Sequence, residues 1–299
     1  MIRKCAKYLL IVCLTLFFSA CSEKQKSMSN SSANFDELIT KIDCYSLNEQ
    51  QNEQSLYYSY QVNYGLTGRI ESFDLIDYLG LQGRMKYQYS DDVISVQYRM
   101  KPGQPFYEGY ASVMDDRIVE SSTYGGEYGV GYYYDDFNHL NKIVNIDGEE
   151  LRFLWKNSRM TSVCFYPDGA DDFAEETIDS VKVPRPGYQL RLDLKYKKIS
   201  SKTLNLDVAQ LFLVDMVMNC GSGIGFSDTL MELCSFVGSR CSVMPDTAVL
   251  EYAESENKVA YKFMYGIDGG LVKDIVISRN GVKIFRMELS YIKNPIRYV

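Results

Sequence analysis

The sequence predicts a mainly β protein, an antiparallel up-and-down meander that curls or closes into a barrel-like sheet and carries a short helical insertion. Three observations predict it. Apolar and polar residues alternate with period two over short stretches. Aromatic side chains are dense, with 25 Tyr and 14 Phe against a single Trp and a single His. A loose repeat of aromatic hairpins runs through the chain, and a sheet of hairpins must curl or close to remove its edges.

The alternation is cleanest between Leu190 and Lys198. There Leu192, Leu194 and Tyr196 point one way and Arg191, Asp193, Lys195 and Lys197 the other, as in a half-buried antiparallel strand. Near the C-terminus Phe285, Met287, Leu289 and Tyr291 alternate with Ile284, Arg286, Glu288 and Ser290 in the same way. The repeat places an aromatic-x-aromatic pair before a polar turn and a short apolar strand after it. Tyr132 and Tyr134 lead through Asp135, Asp136 and Asn138 to Ile143. Phe153 and Trp155 lead through Asn157 to Met160 and Val163. Tyr87 and Tyr89 lead through Asp91 to Ile94, and Phe263 and Tyr265 through Asp268-Gly269-Gly270 to Val272. Aromatics supply cross-strand pairs, and Asn, Asp and Gly supply the turns.

One region breaks this pattern. Val208, Leu211, Phe212 and Met216 recur at near-helical spacing after Asp207, a candidate cap, and Ser227-Asp228 opens a second short helix through Leu230, Leu233 and Phe236 that ends at Gly238. The glycines from Gly221 to Gly225 link the two and do not fit a dinucleotide-binding fingerprint. The expectation is a helical insertion at about 207–238 that plugs or lids one end of the β structure, with Met244-Pro245 returning the chain to strands.

The N-terminus carries an address. Arg3, Lys4 and Lys7 precede an apolar run from Tyr8 to Phe18, then Ser19 and Ala20 lead into Cys21. Such a run is too short for a helix to cross a ~30 Å hydrocarbon core, which needs roughly 20 residues, and it fits a secretory signal. Phe18-Ser19-Ala20-Cys21 resembles a lipobox, with Phe where Leu is usual. That resemblance implies cleavage of the signal peptide at residues 1–20 and lipid attachment, palmitate included, to Cys21. Residues 21–34 are Ser, Lys, Gln and Asn with little apolar content, the composition of a flexible tether. Residues 35–299 then form a single β-rich domain, lipid-anchored to the outer membrane, on its periplasmic or its surface face.

Losing Arg3, Lys4 and Lys7 takes the formal net charge from −7 to −10. That acidity argues against nucleic acid and anionic lipid head groups as partners, since both require clustered cations. After the signal and Cys21 are set aside, Cys44, Cys164, Cys220, Cys234 and Cys241 remain. Five is odd, so at least one stays a thiol or pairs outside the chain. Buried apolar cysteines and one disulfide are both open.

Taken together, the lipobox, the aromatic hairpins, the helical insertion after Asn205, the Pro245 restart and the Tyr265-x-x-Asp268-Gly269 hairpin resemble an uncharacterised lipoprotein family of gut anaerobes with a porin-like β fold. The likeness covers roughly residues 55–299. It implies an up-and-down barrel or strongly curled sheet and brings no catalytic residues with it. A membrane-spanning barrel is disfavoured, because lipidation already supplies the membrane link, Pro295 interrupts the last strand-like stretch, and Val299 is not an aromatic ending.

Chemistry is argued mainly by exclusion. His139, the lone imidazole, sits in the polar turn Asp135–His139 and is expected to be solvated rather than a catalytic base. The sequence offers no zinc-type spacing, so neither a metal centre nor a cofactor is expected. The acidic stretch Asp168, Asp171, Asp172, Glu175 and Glu176 does not follow EF-hand spacing and reads as a solvated loop. Paired carboxylates at glycosidase distance are the one enzyme class the sequence does not argue away. The expected function is therefore a non-catalytic binding or assembly module of the cell envelope, with a glycan or an envelope protein as partner. A carbohydrate-binding or carbohydrate-cleaving accessory lipoprotein is the alternative, and a structural component held by an outer-membrane partner a third reading.

Overall fold

Period-two alternation is realised as strands whose two faces differ in polarity. In the computed structural model, residues 35–294 are described apart from 49–52, 67, 78, 81, 100, 116, 124–127, 168–172, 179–180, 198–204, 206–243, 254 and 256. Their first strands are β1 (Glu37–Asn48), β2 (Glu53–Tyr64), β3 (Ile70–Asp77), β4 (Gln82–Tyr89), β5 (Val93–Arg99) and β6 (Tyr107–Met114). Next come β7 (Arg117–Thr123), β8 (Tyr128–Tyr134), β9 (Leu140–Asn145), β10 (Glu150–Lys156), β11 (Arg159–Tyr166) and β12 (Phe173–Ile178). The last are β13 (Val181–Pro186), β14 (Leu190–Tyr196), β15 (Pro245–Tyr252), β16 (Lys258–Asp268), β17 (Leu271–Arg279) and β18 (Val282–Lys293).

Sixteen of these strands close into one antiparallel barrel. Each pairs with its neighbour in sequence, except that β11 pairs with β14, and β12 and β13 form a hairpin of their own. β18 closes on β1 from Glu37↔Lys293 to Ser46↔Phe285, which removes both edges of the meander. The predicted insertion at 207–238 and the acidic loop at 168–172 lie outside the described residues, while Glu175 and Glu176 fall in β12.

Strictly alternating strand direction sorts the connections. The start of β1, the end of β18 and the turns that follow the even-numbered barrel strands share one end, which we call proximal. The long β14–β15 connection leaves from this end, and the β12–β13 hairpin belongs to the other. Asn294 ties the chain's two ends together proximally: its amide N–H donates to the Asp36 carbonyl and its side chain to the Phe35 carbonyl, each at 2.8 Å. At the distal end, Asn280-Gly281 joins β17 to β18 with both residues at positive φ (49° and 88°), the geometry that twists with a tight hairpin.

The faces are sorted with equal clarity. Ile42, Val62, Ile94, Ile143, Val163, Leu192, Leu250 and Ile275 are at most 2% exposed and belong to one continuous apolar cluster drawn from strands all round the barrel. One cluster that joins strands all round a closed sheet lies on its inner face, so the interior is packed at these positions. The outer face carries Lys41, Asp43, Arg84, Lys142, Glu150, Arg191, Asp193, Lys258 and Arg286. This is the reverse of a membrane-spanning barrel, which turns an apolar band outward and a polar wall inward. The alternation in sequence fits either arrangement, and packing decides it.

Candidate functional site

The proximal end is where special geometry concentrates. Seven rings there repeat one hydrogen bond. Near the proximal end of its strand, each donates to the carbonyl of a residue at the start of the preceding strand. Tyr64 reaches Ile39, Tyr89 reaches Ile70 and Tyr134 reaches Ile118, each at 2.7 Å. Trp155 Nε1 reaches Leu140 at 2.7 Å, Tyr196 and Tyr265 reach Met160 and Pro245 at 2.6 Å, and Tyr291 reaches Val272 at 2.5 Å.

The clamps interlock. Tyr291 pairs in the sheet with Ile39, which accepts from Tyr64; Tyr64 pairs with Ile70, which accepts from Tyr89. Likewise Tyr134 pairs with Leu140, Trp155 with Met160, and Tyr196 with Pro245. Sheet register shifts directly before Tyr64, Tyr134, Trp155 and Tyr196, so a bulge aims each of these rings at a carbonyl near the ladder's end. At β6 the position after the corresponding bulge is Val113, an aliphatic residue where the other hairpins carry a ring. Burial pushes the Tyr134, Tyr265 and Tyr291 hydroxyls well above the ordinary phenol range, so they remain donors.

The sequence repeat is thereby explained and extended. In Tyr87/Tyr89, Tyr132/Tyr134, Phe153/Trp155 and Phe263/Tyr265 the first ring is buried in the core, while the second is the clamp. Tyr64, Tyr196 and Tyr291 do the same work but follow the aliphatic residues Val62, Leu194 and Leu289. A search for aromatic pairs passes over them; apolar-x-aromatic before a polar turn would have found them.

Asn205 joins this girdle from the β14–β15 connection. It is buried, its Oδ1 accepts from the Ile39 N–H at 2.8 Å, and its Nδ2 donates to the Tyr64 hydroxyl at 2.7 Å. β1 and β2 stand several strands away from β14 and β15 round the barrel, so Asn205 makes its contacts far from the strands that flank it in sequence. The predicted insertion at 207–238, and with it the expected lid, lies outside the described residues.

His139 requires a correction. It was expected to be solvated, yet it is 6% exposed, with its ring stacked on Trp155 at 4.5 Å and 13°. The turn folds back because Asp135 Oδ1 accepts from the Phe137 and His139 amides at 2.9 and 2.8 Å, which brings Asp135 Oδ2 to 3.0 Å from His139 Nδ1. Partial burial alone would raise the Asp135 carboxyl. The hydrogen bonds from His139 and Phe137 outweigh it and hold this group below the ordinary carboxylate range. The imidazole's polar partner here is a carboxylate that fixes a turn, which is a structural setting.

Cys44 and Cys164 are both buried. Cys44 lies on the inner face, where burial, only partly offset by a hydrogen bond with Tyr58, pushes its thiol up to about 12 and leaves it inert at neutral pH. Cys220, Cys234 and Cys241 lie outside the described residues, as do the signal segment and Cys21.

At the same end, β10, β11 and β14 border a cavity of about 460 Å³ lined by Lys156, Asn157, Arg159, Thr161, Leu194, Lys195 and Tyr196. Asn157 and Ser158 are both at positive φ (51° and 55°), and this two-residue turn sets Lys156 directly opposite Arg159. Among the described residues three cations line the cavity and no acid does.

No family model matches the chain, and neither does any curated protein. Solved structures do. A porin-like protein from Bacteroides uniformis is 12% identical and superposes with a TM-score of 0.56 over 85% of this chain and 98% of its own. A porin-like protein from Bacteroides vulgatus is 15% identical, with a TM-score of 0.54 over 86% of this chain and 99% of its own. At these identities the likeness is one of fold: this chain is similar, over nearly the whole of those proteins, to porin-like barrels.

Proposed function

We propose that this chain is a lipid-anchored cell-envelope protein in which Cys21 carries the lipid and the barrel is a non-catalytic binding or assembly module, working beside the outer membrane rather than within it. The observation that carries this reading is the barrel's polarity. A wall with Lys41, Asp43, Arg84, Lys142 and Arg191 on its outer face and Ile42, Ile94 and Leu192 inside does not suit hydrocarbon, so a bilayer link has to come from elsewhere. A lipobox supplies one, and the porin-like neighbours are in keeping with an envelope address. β1 begins at the proximal end, and residues 21–34 reach ~45 Å at full stretch, enough for a folded domain to stand clear of the bilayer. Proximal features, namely the girdle, Asn205 and the cationic cavity, would then face the membrane side.

The carbohydrate alternative predicts a deep aromatic cleft. Most of the barrel's rings are instead committed to the core and the clamps, and the cavity beside β14 is lined by cations. The partner proposed is accordingly another envelope component rather than a polysaccharide chain. Labelling cells with a palmitate analogue tests the anchor. Cys21→Ala is expected to lose both label and membrane fractionation while the barrel stays folded. A Cys21→Ala protein that remained in the membrane fraction would sink the reading.

A further inference from the structure

The cations of the barrel wall mostly have acids beside them. Lys41 meets Asp43, Arg84 meets Asp74, Lys142 and Arg152 share Glu150, Arg191 meets Asp193, and Lys258 meets Glu251. Lys156, Arg159 and Lys195 are different. All three line the 460 Å³ cavity at the proximal end, and among the described residues none of them has an acidic partner. Lys156 and Arg159 also face each other directly across a tight turn, where like charges repel. An acid at either position would relieve that repulsion. In a chain whose formal net charge is −7, gathering three uncompensated cations around one concavity runs against both local and overall electrostatics.

We propose that this cavity is a binding site for a phosphate group. Arg159 offers a planar fork of donors suited to two phosphate oxygens, and Lys156 and Lys195 add point charges from the flanking strands. Asn157 and Thr161 contribute neutral hydrogen-bonding groups to the lining. Rigid strands on three sides fix the spacing, and Tyr196 is held by its bond to the Met160 carbonyl at 2.6 Å. A phosphate resolves the like-charge conflict between Lys156 and Arg159 across the turn. The site does not depend on lipidation of Cys21. Its phosphate has two possible sources, a lipid head group at the membrane or a soluble phosphate compound, and both present the same chemistry.

The full chain is titrated with inorganic phosphate by calorimetry. It is also sedimented with phosphatidylcholine vesicles, plain or doped with phosphatidylglycerol. The variant combines Lys156→Gln, Arg159→Gln and Lys195→Gln, which leaves the leader untouched so that its contribution cancels in the comparison. Lys86→Gln, on the outer face of β4, is the control. Wild type and control are expected to bind, and the triple variant to bind about a hundredfold more weakly, the scale of three charges near a phosphate surface. Its melting temperature is expected to hold or rise, because a repulsion has been removed. Phosphate heats without a preference for doped vesicles would support a soluble source, and a preference for doped vesicles a head group. Absence of both signals in the wild type, or undiminished binding by a folded triple variant, overturns the proposal.

Discussion

Asp135 shows how one carboxylate organises a turn. Its Oδ1 fixes two backbone amides, its Oδ2 meets His139, and His139 in turn lies flat on Trp155, whose indole clamps Leu140. Losing the charge therefore loosens a buried stack rather than a surface loop. Because the folded carboxyl titrates below the ordinary carboxylate range, the stabilisation it gives is fully present above that range and fades as pH falls through the depressed folded value. Asp135→Asn keeps an acceptor but not the charge. It should melt earlier than wild type at neutral pH, and the two melting temperatures should converge below about pH 4. Parallel curves down to strongly acidic pH would show that the charge contributes nothing. None of this was legible from composition, which marks a histidine among aspartates as solvated. Burial arises only once Trp155, sixteen residues on, folds back over the ring.

A hairpin of this barrel is a strand pair plus a clamp. The aromatic repeat revealed the hairpins and their turns, because rings at alternate positions before Asp, Asn or Gly are a local signal. The clamp could not be read locally. Its acceptor lies from 15 to 36 residues upstream, and at Tyr64, Tyr134, Trp155 and Tyr196 its aim is set by a bulge. Buried Phe in place of Tyr keeps the ring and removes only the donor, which leaves a carbonyl unsatisfied. Tyr134→Phe and Tyr265→Phe should each cost about 1–3 kcal/mol in urea melts. The effects should add, because Ile118 and Pro245 belong to separate hairpins. Midpoints equal to wild type for both variants would mean that water serves these carbonyls as well.

For the whole molecule, closure and polarity are linked. A sheet of sixteen strands closed round water would be a channel; this one is closed round apolar side chains, and its outer face holds the charges. Alternation revealed the sheet but not its inside, since a period of two reads the same from either face. The proximal end is where such a barrel must be finished, and Asn205 makes a contact there that joins residues 166 positions apart in sequence, satisfying the Ile39 N–H and the Tyr64 hydroxyl together. Both partners belong to the girdle, and Ile39 sits at a register shift against β18. Asn205→Ala leaves a buried backbone donor without its acceptor and removes a second hydrogen bond, so it should cost about 2–4 kcal/mol. Amide exchange at Ile39 should accelerate at the same time, because a bulged N–H has no ladder partner to fall back on. Asn205→Asp, which can still accept from Ile39, should recover most of the exchange protection. An Asn205→Ala protein with wild-type midpoint and unchanged exchange at Ile39 would show that the connection rests on the barrel without fastening it.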